Sequence, residues 1–458
     1  MSPDIAYSTL MPMLLVFGAA VLGVLVEAFA PARHRYRAHL VLYPVGLVAA
    51  LISVIWLAGT QVITAEGAVA VDGPALFLQG LVLVVALGGC LLISERATIR
   101  VGALAGADAR AGVDAGSRTD GARDAGGPAR VRVLAGFAPQ AAGAPGGDSG
   151  RAAERAGAMQ TEVFPLALFA TGGLMLFPAA HDLITLFIAL EVLSLPLYVM
   201  CGMARRRRLL SQEAAVKYFL LGAFSSAFFV YGAALIYGYA GTVSFDGIAS
   251  VVAADGGNAL ALTGVAMLSV GLLFKVAAVP FHTWTPDVYQ GAPVAITAFM
   301  AAGTKVAAFG AILRFFHTAA AGLETEWGPV LWVVAALTMI VGTIVGVTQN
   351  DVIRLLAYSS VAHAGFLLTG ILGPTDLGAP ALLFYLVAYA VSTVGVFAVA
   401  GLVRDPEGAG ITDLRSWAGL GRRQPLVAGA FALLLLALAG IPLTSGFIAK
   451  FAVFSAAV

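Results

Sequence analysis

The sequence predicts an all-α polytopic membrane protein. Three observations lead there. The chain is 60% hydrophobic and only 11% charged, whereas an ordinary soluble domain carries about 25% charged residues. Its mean hydropathy is +0.93. The apolar residues also fall in long runs, each near the ~20 residues that cross a hydrocarbon core. The net charge of +1 supplies no electrostatic reason for a nucleic-acid partner. The two cysteines, Cys90 and Cys201, lie singly in apolar runs, which suits small packing residues and neither a disulfide framework nor an iron–sulfur site.

The runs are 9–30, 40–58, 75–94, 161–180, 182–203, 213–240, 258–279, 292–317, 327–347, 351–373, 377–403 and 425–458, or about twelve spans. Asp4 stands where a signal peptide needs a basic region, so the first run reads as a span. Arginines set the orientation. Arg33, Arg35, Arg37, Arg205 to Arg208, Arg354, Arg404, Arg415, Arg422 and Arg423 share one set of alternate loops. The opposite loops, 59–74, 241–257, 318–326 and 374–378, contain no Lys or Arg. The positive-inside bias then places the N-terminus outside and the arginine-bearing loops in the cytoplasm.

Residues 1–94 form the first three spans, where Glu27 is expected to reach the interface and Asp72 belongs to an outer loop. Residues 95–158 are rich in Ala, Gly, Arg and Asp with few large apolar residues. Such a segment buries too little surface to offset the entropy of ordering, and it reads as a flexible cytoplasmic insert.

The chemistry is carried by the lysines. There are four, Lys217, Lys275, Lys305 and Lys450, and all fall inside apolar runs. Apart from Arg314, near the outer end of its span, the arginines keep to loops, the insert and span edges. Lysine can lose its proton when desolvated and arginine in practice cannot, so the titratable cation is the one kept for the membrane. Ionisable residues at that depth are costly and usually mark an ion or proton path.

Glu191 lies mid-span in 182–203, and Pro196 one turn later is a candidate kink. It either faces a charged partner or stays protonated as a hydrogen-bonding group. The run Arg205–Arg208 anchors the cytoplasmic end of that span. Ser211 with Glu213 suits a helix cap, and Glu213 and Lys217 have the favourable acid-first spacing for an i,i+4 pair. Lys217 is expected either to pair with Glu191 or to snorkel to the interface.

The stretch 258–291 is too long for one straight span, at about 50 Å as a helix against a core of about 30 Å. Pro280 predicts a break near 279, and the free carbonyls there are expected to attract the Lys275 ammonium. His282 follows the break, either as a proton carrier or as a histidine satisfying loop carbonyls. Trp284, Asp287 and Tyr289 read as a short second half-helix near the cytoplasmic interface, with Asp287 a loop or cap residue. Lys305 has no neutralising neighbour in sequence, so its partner is expected from another helix or water. Ser359, Ser360 and His363 read as a polar link or a hydrogen-bonded core. The last run, 425–458, holds Gly440, Pro442 and Gly446 before Lys450, and so repeats the interrupted pattern. Paired interrupted helices point to an inverted-repeat transporter.

The stretches FKVAAVPFHTWTPDVYQGAP, LEVLSLPLYV, EAAVKYFLLGAFSSAFFVYG and GIPLTSGFIAKF resemble the antiporter-like subunits of respiratory complex I, and most closely subunit N of NADH-quinone oxidoreductase. The likeness covers about 161–458. It implies an antiporter-like fold of two inverted five-helix repeats, here 159–317 and 327–458. Against that family pattern the C-terminal helices are missing from this chain, so the resemblance leads one to expect either a fragment or an incomplete second repeat. It also implies a multi-pass place in the inner (plasma) membrane beside other complex I membrane subunits. Flavin, iron–sulfur clusters and quinone would lie on partner subunits, with no cofactor and no direct NADH binding on this chain. In the family, positions matching Glu191, Lys217, Lys275, Lys305 and Lys450 form a charged axis, beside which His282 and His363 are candidate proton carriers. A subunit of a multisubunit Na+/H+ antiporter is the alternative. A scaffold whose charges merely hold helices in register is a third reading, disfavoured by the breaks at Pro280 and Pro442.

Overall fold

The computed structural model describes residues 5–100, 130–138, 158–405 and 410–458, and within them the apolar runs are helices. In chain order these are α1 (Met11–Phe29), α2 (Ala32–Trp56), α3 (Gly73–Ile93), α4 (Val163–Leu176), α5 (Leu183–Cys201), α6 (Arg208–Ala240), α7 (Phe245–Asp255) and α8 (Ala259–Val276). There follow α9 (Trp284–Gly291), α10 (Val294–Arg314), α11 (Glu324–Val347), α12 (Val352–Leu372), α13 (Thr375–Leu402), α14 (Pro425–Ala439) and α15 (Ser445–Ala457). Among the described residues, ten helices are long and apolar enough to cross a membrane, and three shorter apolar helices accompany them. Aspartate or asparagine side chains begin several of them. Asp72, Asp182, Asn258 and Asp351 each accept from a backbone N–H in the first turn, at 2.7–3.0 Å.

The centre is α10, buried without interruption from Ile296 to Leu313. It packs on α3, α4, α5, α8, α12 and α13. Helices α1, α2 and α6 lie further out and turn many apolar side chains outward. The α6–α8 crossing is close because it is lined by glycine. A Cβ at Gly232 would stand 2.4 Å from the backbone nitrogen of Leu268.

Several expectations change. The all-α reading gains two small antiparallel pairs, β1 (Val62–Thr64) with β2 (Val69–Val71), and β3 (Arg96–Arg100) with β4 (Arg130–Leu134). The second pair lies in the stretch read as a flexible insert, whose residues 101–129 and 139–157 are outside the described residues. Its alternation, Arg-Val-Arg-Val-Leu in β4, is the period-two signal of a strand. Phe137, just beyond it, is buried and bridges to Ala204. Helix α6 starts at Arg208, before the expected cap. Ser211 instead donates to the Cys201 carbonyl at 2.6 Å, so its hydroxyl closes the end of α5. Pro196 lies inside α5, which continues to Cys201. The loop 241–257 contains α7. Glu27 does not simply reach the interface, because it is held by His39 at 2.7 Å.

Both expected breaks are present. Helix α8 ends at Val276, earlier than Pro280 itself, on Ala277 in the left-handed region (φ 62°). Helix α14 ends at Ala439 on Gly440 (φ 76°), and α15 restarts at Ser445. Each break leaves carbonyls of a half-helix without intrahelical donors; the first lies inside the protein, whereas at the second Ile441 and Leu443 are exposed.

Candidate functional site

Each break holds one lysine, a buried one at the first and a part-exposed one at the second. Lys305, 1% exposed at the middle of α10, donates from Nζ to the Val276 carbonyl at 2.6 Å. Lys450, on α15, reaches back to the Leu438 and Ala439 carbonyls at 3.2 and 3.0 Å. In both cases an ammonium sits on the negative end of a half-helix, immediately before its left-handed cap residue. The expectation that Lys275 would take those carbonyls is corrected. Helical side chains tilt toward the N-terminus of their own helix, so a lysine in the last turn of α8 points back from that end.

Lys275 is 2% exposed and turns to α5 and α6, donating to Ser194 Oγ at 2.6 Å and to the Tyr218 hydroxyl at 3.4 Å. Its Nζ lies 5.4 Å from the Tyr218 ring centre and 5.8 Å from that of Tyr198. Ser194 in turn donates to the Leu190 carbonyl. Glu191, three residues before Ser194 on the same face of α5, accepts from Ser226 of α6 at 2.5 Å. A carboxyl and an ammonium therefore stand one helical turn apart along α5.

Lys217 does not pair with Glu191. It bonds Glu213 at 2.7 Å, as the spacing predicts, and Asp287 of α9 at 2.8 Å. Glu191 faces Ser226, nine residues beyond Lys217 on α6. At about 1.5 Å per residue that is about 14 Å, beyond a lysine's reach. Asp287, expected as a loop or cap residue, is a junction. It also accepts from Arg354 of α12 at 2.7 Å, while Arg354 bonds Gln290 at 3.1 Å. Burial opposes ionisation of Asp287, but the hydrogen bonds from Lys217 and Arg354 outweigh it and hold the carboxyl below the usual range.

Between the two breaks runs a tyrosine-lined segment. The Tyr389 ring centre lies 6.0 Å from Lys305 Nζ. Its hydroxyl pairs with Ser360 Oγ at 2.8 Å and donates to the Ala301 carbonyl at 3.3 Å. His363 is buried, with Nδ1 2.9 Å from the Tyr385 hydroxyl. Lys450 Nζ lies 4.4 Å from the centre of the Phe366 ring, on the helix that carries His363. His282 stands apart from this series. It is half-buried in the loop after α8, and its Nδ1 has no hydrogen-bond partner.

Residues 180–458 match the family model described as NADH:quinone oxidoreductase/Mrp antiporter, TM. NADH-quinone oxidoreductase subunit N of Rhodococcus opacus is 59% identical, over 100% of this chain and 82% of the relative. The chain belongs to the NADH-quinone oxidoreductase subunit N family. The protein of that name from Mycobacterium tuberculosis H37Rv is 55% identical over 100% of this chain and 84% of its own length. Among solved structures, a chain of respiratory complex I from Thermus thermophilus with bound aureothin is 31% identical. It covers 97% of this chain and 82% of that one, at a TM-score of 0.71. A chain of the Mrp complex from Dietzia is 23% identical at a TM-score of 0.75, covering 99% of this chain and 75% of that one, and shows the fold alone.

For this subunit N family member, the sequence reading missed Ser194, Tyr218, Ser226, Tyr385, Tyr389 and the junction at Asp287. Each is an ordinary polar residue in an apolar run or loop, and only its partner on another helix gives it a role.

Proposed function

We propose that this chain is a proton-translocating membrane subunit of NADH-quinone oxidoreductase, working beside other membrane subunits. Its proton path would be the series Glu191, Lys275, Lys305, His363 and Lys450, with Lys217 at the cytoplasmic entrance and His282 beside the first break. The observation that carries the reading is the pair of breaks. Lys305 is held by the carbonyl of the residue next to Lys275 in the chain, so a proton change at either lysine alters the field at the other through one half-helix end. Tyr389, Ser360, Tyr385 and His363 then supply hydroxyl and imidazole groups toward Lys450. Chains of such groups pass protons without any side chain crossing the bilayer.

The repeats are assigned to 159–317 and 327–458, each containing one break. The N-terminus lies outside and the arginine-bearing loops in the cytoplasm, as the absence of Lys and Arg from the opposite loops supports. NADH oxidation and quinone reduction belong to partner subunits. Two cysteines, each buried alone, suit that division.

Replacing Lys275 by Ala tests the reading. Quinone-linked proton pumping should fall while the complex assembles. Normal pumping in an assembled Lys275→Ala complex would refute the role.

A further inference from the structure

A second buried ionisable pair lies outside this axis, where α1, α2 and α4 meet. Glu27 Oε1 is 2.7 Å from His39 Nε2, with side-chain exposures of 11% and 0%. On the solvent-facing side, Arg35 Nη1 stands 3.4 Å from Glu27 Oε2 and is 30% exposed, so the carboxylate has a polar route to the surface carrying Arg33 and Arg37. On the inner side, His39 stacks on Phe164 of α4, with ring centres 5.3 Å apart. Its second nitrogen, Nδ1, is buried without a hydrogen-bond partner.

One turn along α2, the Tyr43 hydroxyl is also buried and lacks a well-formed hydrogen bond, with Thr171 of α4 and Cys90 of α3 as its polar neighbours. The remaining polar groups around the pair are Thr161, before α4, and Tyr36, whose hydroxyl donates to the Ser94 carbonyl and whose ring carries Arg96. A pair that only tied α1 to α2 would need one imidazole nitrogen. Buried polar atoms on successive turns that lack a protein partner are ordinarily satisfied by ordered water.

We propose that Glu27 and His39 form a proton-exchange site at the arginine-bearing end of α1 and α2. Its ligand is a proton delivered by water past Arg35 and released toward Tyr43. In the step, a protonated Glu27 carboxyl gives its proton to His39 Nε2, which makes an imidazolium–carboxylate pair. The Nδ1–H bond then breaks, its proton passes to a water beside Tyr43, and the ring is left neutral as the Nε2–H tautomer donating to the Glu27 carboxylate; return of that Nε2 proton to Glu27 as Nδ1 takes one from water runs the same step in reverse. One proton enters, one leaves, and no electrons are transferred. Use of the site in translocation rests on the reading above, whereas its titration does not.

The test is infrared difference spectroscopy of the purified resting complex, with pH stepped without NADH between about pH 5 and pH 9. The expected result is a coupled carboxyl and imidazole signal that disappears entirely in both Glu27→Gln and His39→Gln. Spectra of both variants superimposable on the parent's would overturn the proposal. If Glu27→Gln does not assemble, His39→Gln alone decides. If neither assembles, the pair is a structural clamp and the proposal fails. Because no turnover is involved, normal pumping in Lys275→Ala would refute the axis and leave this signal untouched.

Discussion

Lys305→Met is the substitution whose outcome follows most directly from the geometry. Methionine has nearly the length of lysine and no branch, so it fills the same space in a helix buried from Ile296 to Leu313 without opening a cavity. Two energies oppose each other. The Val276 carbonyl loses its donor, and an unsatisfied buried acceptor is unfavourable by about 1–3 kcal/mol. Against this, the protein no longer buries an ammonium. Replacing buried ionic groups by apolar ones is often neutral or stabilising by about 1–4 kcal/mol. The two nearly cancel, so the assembled complex should retain its thermal midpoint within a few degrees. Transport should not survive, because nothing else on α10 carries a proton between the Val276 carbonyl and Tyr389. The assay is proton pumping in inverted membrane vesicles beside NADH-quinone reductase activity in the same vesicles. Pumping is expected to fall at least about tenfold, equivalent to 1.4 kcal/mol or more in barrier. Unchanged pumping per NADH in a stable Lys305→Met complex would refute the reasoning. Loss of assembly would show instead that Lys305 ties α10 to α8.

Three further outcomes follow. Lys275→Ala should abolish most pumping with assembly intact, as set out above. Asp287→Asn removes two part-exposed ion pairs of about 0.2–1 kcal/mol each. Hydrogen exchange of residues 284–291 should then quicken roughly two- to thirtyfold, and unchanged exchange would deny Asp287 its junction role. Because the folded Asp287 carboxyl is held below its unfolded value, the parent's clamp is fully present above the unfolded pKa of about 3.9. It is lost only as pH falls through the lower folded value, so the protection factor there, the intrinsic exchange rate divided by the measured one at each pH, should be flat from neutral pH down to mild acid. Gly232→Val places a Cβ 2.4 Å from the Leu268 nitrogen, which backbone cannot yield cheaply. A destabilisation of at least about 1–3 kcal/mol is expected, read as a lower thermal midpoint or lower yield of assembled complex.

The sequence by itself determined the membrane character, the positions of the apolar runs and the two interruptions. These depend on local quantities: hydrophobic length, the donor missing from proline, and the expense of a charge in an apolar run. The restriction of lysine to apolar runs singled out Lys217, Lys275, Lys305 and Lys450, of which the structure buries Lys275 and Lys305 at the first break and sets Lys450, part-exposed, on the second. The Glu213–Lys217 pair was also legible, because four residues on one helix fix their own geometry. Partners across helices were not. That Lys305 and not Lys275 takes the Val276 carbonyl depends on the direction of side chains on two helices. That Lys217 bonds Asp287 and leaves Glu191 to Ser226 depends on where α6 passes α5 and α9. The burial of Glu27 against His39 likewise depends on how α1 and α2 pack. One sequence position constrains depth in the membrane, but rotation and register between helices are set by the packing of the whole bundle, and those decide which polar group meets which.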